Sequence, residues 1–275
     1  MNRKELDPEA SPGAAFGERL RMMRDERGWT QDELGERTGF SGTHISAVET
    51  GRRPPTARFA ASVDRAFGTG DQFERRGRAV RNTALLEGFP EYVKHEGLAV
   101  EIRLFNIGII PGLLQTPEYA RVLADSAVRR GAITSEQADE RVAFLAQRQA
   151  VLARPRPPMM FVTIDESCIL RPVGGPAVMD AQLARLVEFA ELPNTVLQVA
   201  PYEMGERRPF DLPVNLLTLM DRSVICYAES QAQGHLDREV TSVTTMLTAY
   251  HQLQAEALSP AASVATINQL RKGAP

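Results

Sequence analysis

Cysteine and lysine are scarce in this sequence, and long apolar runs are missing. Its 275 residues include two cysteines, Cys168 and Cys226, and only three lysines among 32 basic residues. The cysteines lack the Cys-x-x-Cys spacing of metal and redox sites and lie in apolar stretches, so we expect small buried side chains. No run approaches the roughly 18–20 apolar residues that span a bilayer, and residues 1–13 lack the apolar core of a signal peptide. We therefore expect a cytoplasmic protein.

The residue patterns of common catalytic sites are also missing. Gly174-Gly175-Pro176 lacks the further glycines and the lysine of a phosphate-binding loop, and no serine lies in Gly-x-Ser-x-Gly. His235 and His251 could share one helix, but they would lie about 24 Å apart and could not bind one metal as a pair. We expect no catalytic residue, metal or cofactor. An enzyme fused to a binding domain is therefore the least favoured class of function.

The charge is unevenly distributed along the chain. The whole sequence has a net charge of −3, yet residues 16–81 contain 13 arginines against 10 acidic residues, a local balance of +3. A mildly basic segment attached to an acidic body suits a nucleic-acid-binding protein, because the local charge is what meets the phosphates. The length also suits two domains of ordinary size.

Residues 30–51 predict two short helices joined by a tight turn. Thr30 and Glu33 have the spacing of a capping box, in which the hydroxyl and the carboxylate each accept a backbone N–H. Gly39 stands where the chain must turn, a position that often requires positive φ. Ser41 is a favourable N-cap for the second helix.

The second of these helices is suited to the DNA major groove. Ile45 and Val48 lie three residues apart and predict its buried face. Thr43, Ser46 and Ala47 are left to face outward, with Gly42 and His44 beside them. The small side chains among these residues can approach base edges closely. Arg52 and Arg53 follow the helix directly, where they can meet phosphates.

These positions resemble the lambda-repressor-like (Cro/C1, XRE-type) helix-turn-helix family over residues 16–67. The resemblance rests on four segments: Trp29-Thr30-Gln31, Gly39-Phe40-Ser41, Ile45-Ser46-x-x-Glu49 and Gly51-Arg52-Arg53-Pro54. It implies that Gln31 contacts a phosphate through its side chain or its helix N-terminus, and that Glu49 pairs inside the domain. It also implies four base-contacting residues: Ser41, Gly42, Thr43 and Ser46. The sequence departs from the family where Gly42 and Thr43 replace the long amide side chains common at base-reading positions.

The predicted fold is mainly helical and α+β overall. We expect a disordered N-terminus (1–14), a five-helix helix-turn-helix domain whose first four helices lie within 15–70, a connector helix (71–89) and an α+β domain (90–275). The connector helix would pack through Phe73, Val80 and Leu85 and direct its arginines outward. The last domain should have a small mixed sheet flanked by helices. Its predicted strands cover 100–105, 159–165, 195–200, 214–220 and 223–228, and its helices include 179–192, 236–257 and one from 260 to about 271.

A second resemblance covers about residues 90–272. The run from Pro111 to Arg121, Pro-Gly-Leu-Leu-Gln-Thr-Pro-Glu-Tyr-Ala-Arg, resembles a family of actinomycete XRE-type regulators with a poorly understood C-terminal domain. Further segments agree: Arg148-Gln149, Asp165-Glu166, Leu170–Gly175 and Gln182-Leu183. The resemblance implies a DNA-binding regulator, sometimes described as antitoxin-like and often paired with a small protein encoded nearby.

Two functional hypotheses follow. In the first, the protein is a nucleoid-associated, sequence-specific regulator that binds double-stranded DNA as a homodimer on a palindromic operator. Its second domain would then sense a small-molecule effector or a protein. In the second, it is an antitoxin-like switch whose second domain binds a small partner, with autoregulatory DNA binding. The candidate partner surface is the 111–119 loop, provided that it exposes Leu113, Leu114 and Tyr119; the alternative is a loop packed on the core.

Acidic residues provide a further candidate site. Asp165 and Glu166 end one predicted strand and Glu229 ends another, so they could form a cluster for a cationic ligand or a partner's arginines. The alternative is a pair of solvated strand ends that cap helices.

Overall fold

The computed structural model describes residues 12–83, 89–229 and 234–273. The chain divides into two compact units, residues 1–86 and 87–275. Each unit has its own hydrophobic core.

The described part of the first unit, residues 12–83, is a bundle of five helices. They are α1 (Pro12–Glu26), α2 (Gln31–Thr38), α3 (Gly42–Glu49), α4 (Ala57–Phe67) and α5 (Gln72–Thr83). The periodicity of α1 places Phe16, Leu20 and Met23 on one face, and all three are buried, as predicted. Phe16 packs edge-on against Phe73 with ring centroids 5.3 Å apart, so the core joins α1 to α5.

The structure corrects two predictions for this unit. Helix α1 begins at Pro12, so residues 12–14 are helical rather than disordered; residues 1–11 lie outside the described part. Helix α5 is not a separate connector, because Phe73 and Val80 are buried in the core of the first unit. The buried Asp64 carboxylate also accepts the backbone N–H groups of Phe73 and Glu74 at 2.9 and 2.8 Å, which fastens the start of α5 to α4. The predicted packing of Leu85 falls in residues 84–88, outside the described part.

The second unit contains a mixed sheet of six strands within residues 89–229 and 234–273. The strands are β1 (Glu101–Asn106), β2 (Met159–Asp165), β3 (Thr195–Ala200), β4 (Val214–Thr218), β5 (Val224–Glu229) and β6 (Gly234–Asp237). Their order is β3-β2-β1-β4-β5-β6, with β1, β2 and β3 parallel and the other pairs antiparallel. The α+β fold with a small mixed sheet is therefore confirmed.

Helices cover both faces of this sheet. They are α6 (Phe89–Glu96), α7 (Pro117–Arg129), α8 (Ser135–Gln149), α9 (Ser167–Leu170), α10 (Gly175–Ala190), α11 (Val240–Glu256) and α12 (Pro260–Arg271). Alternation along the strands divides the core in two: Leu104 belongs to one cluster with Leu186 of α10, and Phe105 belongs to the other with Tyr250 of α11. Cys168 and Cys226 are buried and unpaired, as predicted. Among the described residues, no helix is long and apolar enough to cross a membrane.

The region before α11 differs from the prediction. The sequence predicted one helix over residues 236–257, whereas Gly234–Asp237 form an edge strand paired with β5 and the helix begins at Val240. The Glu239 carboxylate caps that helix, accepting the N–H groups of Thr241 and Ser242 at 3.0 and 2.7 Å. Helix α10 also begins at Gly175, four residues before the predicted Met179.

The 111–119 loop is packed on the core. Leu113, Leu114 and Tyr119 are 2%, 0% and 0% exposed, so the expectation that this loop exposes them was wrong. All three belong to the larger hydrophobic cluster of the second unit. The structure instead has the alternative arrangement, in which the loop is part of the core.

Two glutamines hold that loop in place. The buried Gln182 side chain accepts the Thr116 N–H at 2.7 Å and donates to the Leu114 carbonyl oxygen at 2.8 Å. The Gln149 amide donates to two more loop carbonyl oxygens, at 2.9 and 2.8 Å. Backbone groups buried away from water need such partners, and this explains why the loop can lie inside the unit.

Candidate nucleic-acid interface

Side-chain caps set the starting points of α2 and α3. Thr30 and Glu33 form the predicted capping box, in which Glu33 Oε2 lies 2.7 Å from the Thr30 backbone nitrogen. That backbone hydrogen bond lowers the pKa of Glu33 below its usual value. Gly39 turns the chain at φ 76°, and the Ser41 hydroxyl accepts the His44 N–H at 3.2 Å. The two helices therefore begin where the local sequence predicts.

The four predicted base-contacting residues lie together at the start of α3. Ser41 and Thr43 are exposed, and Gly42 and Ser46 are partly exposed. Ile45 and Val48, on the other side of the helix, are buried in the core of the first unit, as predicted. The N-terminal part of α3 thus presents a backbone and small hydroxyl groups that a base edge can approach closely.

The predicted phosphate-contacting residues lie at helix ends. Gln31 is the first residue of α2, and its side-chain nitrogen donates to Glu49 Oε2 at 2.8 Å. Arg52 is exposed just beyond α3, with Nε 2.9 Å from the Thr50 hydroxyl. Arg53 is partly buried beside it. An N-terminal N–H of α2 and the Arg52 guanidinium are groups that commonly bind phosphate oxygens.

Glu49 connects three helices inside the first unit. Its carboxylate is fully buried and bonded by Arg24 of α1, with Nε 2.5 Å from Oε1 and Nη2 3.1 Å from Oε2. Burial lowers the pKa of Arg24, but the hydrogen bond and charge of Glu49 outweigh that effect, so the pKa lies above its usual value. Because Gln31 of α2 bonds the same carboxylate, Glu49 pairs inside the domain, as the resemblance implied.

Two glycines allow close approaches that sequence reasoning missed. A β-carbon added at Gly17 in α1 would lie 2.6 Å from the Val48 carbonyl oxygen, and one at Gly35 in α2 would lie 2.5 Å from the Phe40 carbonyl oxygen. Both distances are too short for any side chain, so the backbones are in contact at these points. The signal in the sequence was a glycine inside a predicted helix, where glycine is unfavourable unless packing requires it.

Asp165 and Glu166, two of the candidate acidic residues, have partners close to them in the second unit. Asp165 is buried rather than solvated: its Oδ2 lies 2.9 Å from Arg208 Nη1, and its Oδ1 accepts the Ser167 N–H at 3.0 Å. Glu166 accepts the Tyr202 N–H at 2.7 Å. Within the described residues, no group of histidine, cysteine and acidic side chains is placed to hold a metal ion.

Comparison with known proteins gives the family of each unit. Residues 15–76 match the family described as a helix-turn-helix domain, and residues 89–269 match the family described as a domain of unknown function, DUF5753. An uncharacterized HTH-type transcriptional regulator of Sinorhizobium fredii, y4dJ, is 38% identical over 52 residues, which cover 19% of this chain and 68% of that relative. No solved structure matches the chain. The chain therefore belongs to the family defined by the DUF5753 domain, and with its N-terminal helix-turn-helix domain it is a DNA-binding transcriptional regulator.

Proposed function

We propose that the protein binds a palindromic operator as a homodimer and reads its half-sites with the N-terminal part of α3. The observation that carries this proposal is the grouping of Ser41, Gly42, Thr43 and Ser46 on one accessible side of that helix, with Arg52 close by in the chain. The hydroxyls and the Thr43 methyl group can meet base edges, and Arg52 can meet the phosphate backbone.

The small size of helix α3 supports a dimer. Helix α3 has eight residues, which makes it about 12 Å long at the helical rise. Such a helix contacts only a few base pairs. Two copies related by a two-fold axis would read half-sites roughly 34 Å apart, one helical turn of DNA, and gain the affinity and specificity that one copy lacks.

We place the contact between the two copies on α11 and α12. Residues 240–270 contain a single charged residue, Glu256, in 31 positions, whereas the whole chain is 24% charged. Thr244 and Thr248 of α11 are nevertheless exposed, and their hydroxyls bond the carbonyl oxygens one turn earlier, at 2.7 and 3.0 Å. An accessible helix surface with few charges and few unsatisfied polar groups is typical of the buried centre of a protein interface.

Binding-site selection on the full chain tests the DNA-reading role. We expect wild type to select a palindrome and Thr43→Ala to alter its base preference. The paired change Arg52→Ala and Arg53→Ala should instead weaken binding to all sequences and reduce the salt slope by about one unit per lost phosphate contact. Arg141→Ala, which removes an exposed arginine of α8, is the matched control and should leave the slope unchanged. If Thr43→Ala selects the same motif as wild type, Thr43 does not contact a base.

Sedimentation equilibrium tests the interface. The double variant Thr244→Glu, Thr248→Glu places two charges on the exposed side of α11 and should shift a dimer to monomer. Gln147→Glu, on the exposed side of α8, is the control and should stay dimeric. If the double variant remains a dimer, the interface does not lie on this side of α11.

The second unit is also our candidate for receiving the signal, either a small-molecule effector or a small protein partner. This role is supported by the separate hydrophobic core of the second unit, because contact with DNA does not require a second core. The buried leucines of the 111–119 loop are not part of this proposal. Co-purification of the full chain with the products of neighbouring genes is the test, and a chain that recovers none of them would count against the protein partner.

A further inference from the structure

The carboxylate of Asp32 lies against the first residue of α3. A β-carbon added at Gly42 would lie 1.9 Å from Asp32 Oδ1 and 2.9 Å from its Cγ. The Asp32 carboxylate thus occupies the volume that a side chain at position 42 would need. Position 42 belongs to the proposed base-reading group, so an acidic group from α2 takes the place of the missing side chain.

This carboxylate is accessible and uncommitted. Asp32 is exposed at the second residue of α2, and within the described residues its side chain has no hydrogen bond or ion pair. The neighbouring acids have structural tasks, since Glu33 completes the capping box and Glu49 holds Arg24. Asp32 therefore differs from both in being free to accept a hydrogen bond from outside the protein.

The chemistry of the major groove determines what such a group can read. An ionised carboxylate only accepts hydrogen bonds, and it is repelled by the acceptors of guanine (N7, O6) and thymine (O4). Cytosine N4 and adenine N6 are the amino groups that donate into the major groove. We infer that Asp32 is a specificity-determining residue that favours cytosine or adenine, and rejects guanine and thymine, at the base facing the start of α3. This inference rests on the proposed DNA-reading role of α3.

A purely structural role for Asp32 predicts a different result. An acid in the first turn of α2 also stabilises that helix through its dipole. Loss of that contribution would lower stability, and with it the affinity for every sequence by the same factor. It would not change which base is preferred at one position of the operator.

The experiment is binding-site selection with the full chain, comparing wild type with Asp32→Asn and Asp32→Ala. Wild type should discriminate about tenfold for cytosine or adenine at one position of each half-site. Asp32→Asn keeps the shape but adds a donor, so guanine and thymine should be accepted there, and Asp32→Ala should lose the preference. Glu36→Gln, an exposed acid one turn later in α2, is the control and should keep the wild-type motif.

Gly42→Ala provides a second route to the same answer. Its β-carbon must displace the Asp32 carboxylate, so the same operator position should lose its preference while Asp32 is still present. Should all three variants select the wild-type motif, the inference is overturned and the DNA-reading role of α3 still stands. Should wild type select no motif at all, the proposed function fails and the inference fails with it.

Discussion

Replacing Glu49 by glutamine should destabilise the first unit strongly, although Glu49 is predicted to contact no DNA. The substitution keeps the shape of the side chain and removes the charge that faces Arg24. The Glu49 side chain is fully buried and the Arg24 side chain is 10% exposed, so water cannot replace the lost partner. Breaking a buried ion pair by neutralising one partner is among the costly defects in a protein interior.

The remaining contacts of Arg24 determine how much stability Glu49→Gln should remove. Breaking a buried ion pair by removing one partner costs about 3–5 kcal/mol. Arg24 keeps two other acceptors, because its Nη1 lies 2.6 Å from Asp25 Oδ1 and 2.8 Å from the Trp29 carbonyl oxygen. The lower end of the range therefore applies, and we expect a loss of about 3 kcal/mol in the free energy of unfolding. With a urea dependence of about 1.5 kcal/mol per molar, the midpoint should fall by about 2 M.

Trp29 makes this measurable in the full chain. It is the single tryptophan of the sequence, and it stacks on Phe67 with ring centroids 5.2 Å apart, so its fluorescence reports the first unit alone. Exposed Glu36→Gln is the control and should leave the midpoint within about 0.3 M. The double variant Arg24→Met, Glu49→Leu removes both charges and should recover most of the loss. A midpoint shift below about 0.5 M for Glu49→Gln would refute this reasoning. So would a double variant that loses as much stability as Arg24→Met and Glu49→Leu lose together when each is made alone.

Three further predictions concern hydrogen bonds, thiols and acid. Gln182→Ala removes the partner of a buried carbonyl oxygen and of a partly buried N–H group, and it should lower the free energy of unfolding of the second unit by about 2–4 kcal/mol, measured by circular dichroism in urea. A loss below about 1 kcal/mol would mean that water replaces the amide. Burial raises the pKa of Cys168 to about 12 and that of Cys226 to about 11, so neither thiol should react with a disulfide reagent at pH 8 until urea unfolds the chain; rapid reaction of the folded protein would contradict this burial. The folded-state pKa of Glu33 is depressed, so its contribution to stability should be present above the unfolded pKa and be lost as the pH falls through the folded pKa. Glu33→Gln should remove that part of the pH dependence of unfolding. An unchanged dependence of unfolding on acid pH would show that the Glu33 cap contributes nothing to it.

Local chemistry explains why much of the first unit could be predicted from sequence. The capping box at Thr30 and Glu33 and the Ser41 cap depend on residues three positions apart, so the sequence alone contains the whole interaction. The periodicity of Phe16, Leu20 and Met23 likewise predicts its own buried face. The contact of Asp32 with Gly42 could not be predicted from the sequence, because it depends on how α2 and α3 pack.

The second unit was harder to predict because its decisive contacts are distant in sequence. The burial of Leu114 depends on Gln182, 68 residues away, and nothing within the loop itself indicates that partner. The four-residue strand β6 has no clear alternation and exists through pairing with β5. Longer strands such as β2 and β3 were predicted with their observed bounds, because their apolar character extends over the whole element.

The glycine contacts at Gly17 and Gly35 have a consequence for the shape of the operator. Because backbone touches backbone there, α3 has little room to slide or tilt against α1 and α2 when it meets DNA. An imperfect fit must then be relieved by bending or twisting the duplex rather than by the protein. Flexible pyrimidine–purine steps outside the contacted bases should accordingly be enriched in strong binding sites, so that the stiffness of the DNA itself contributes to recognition.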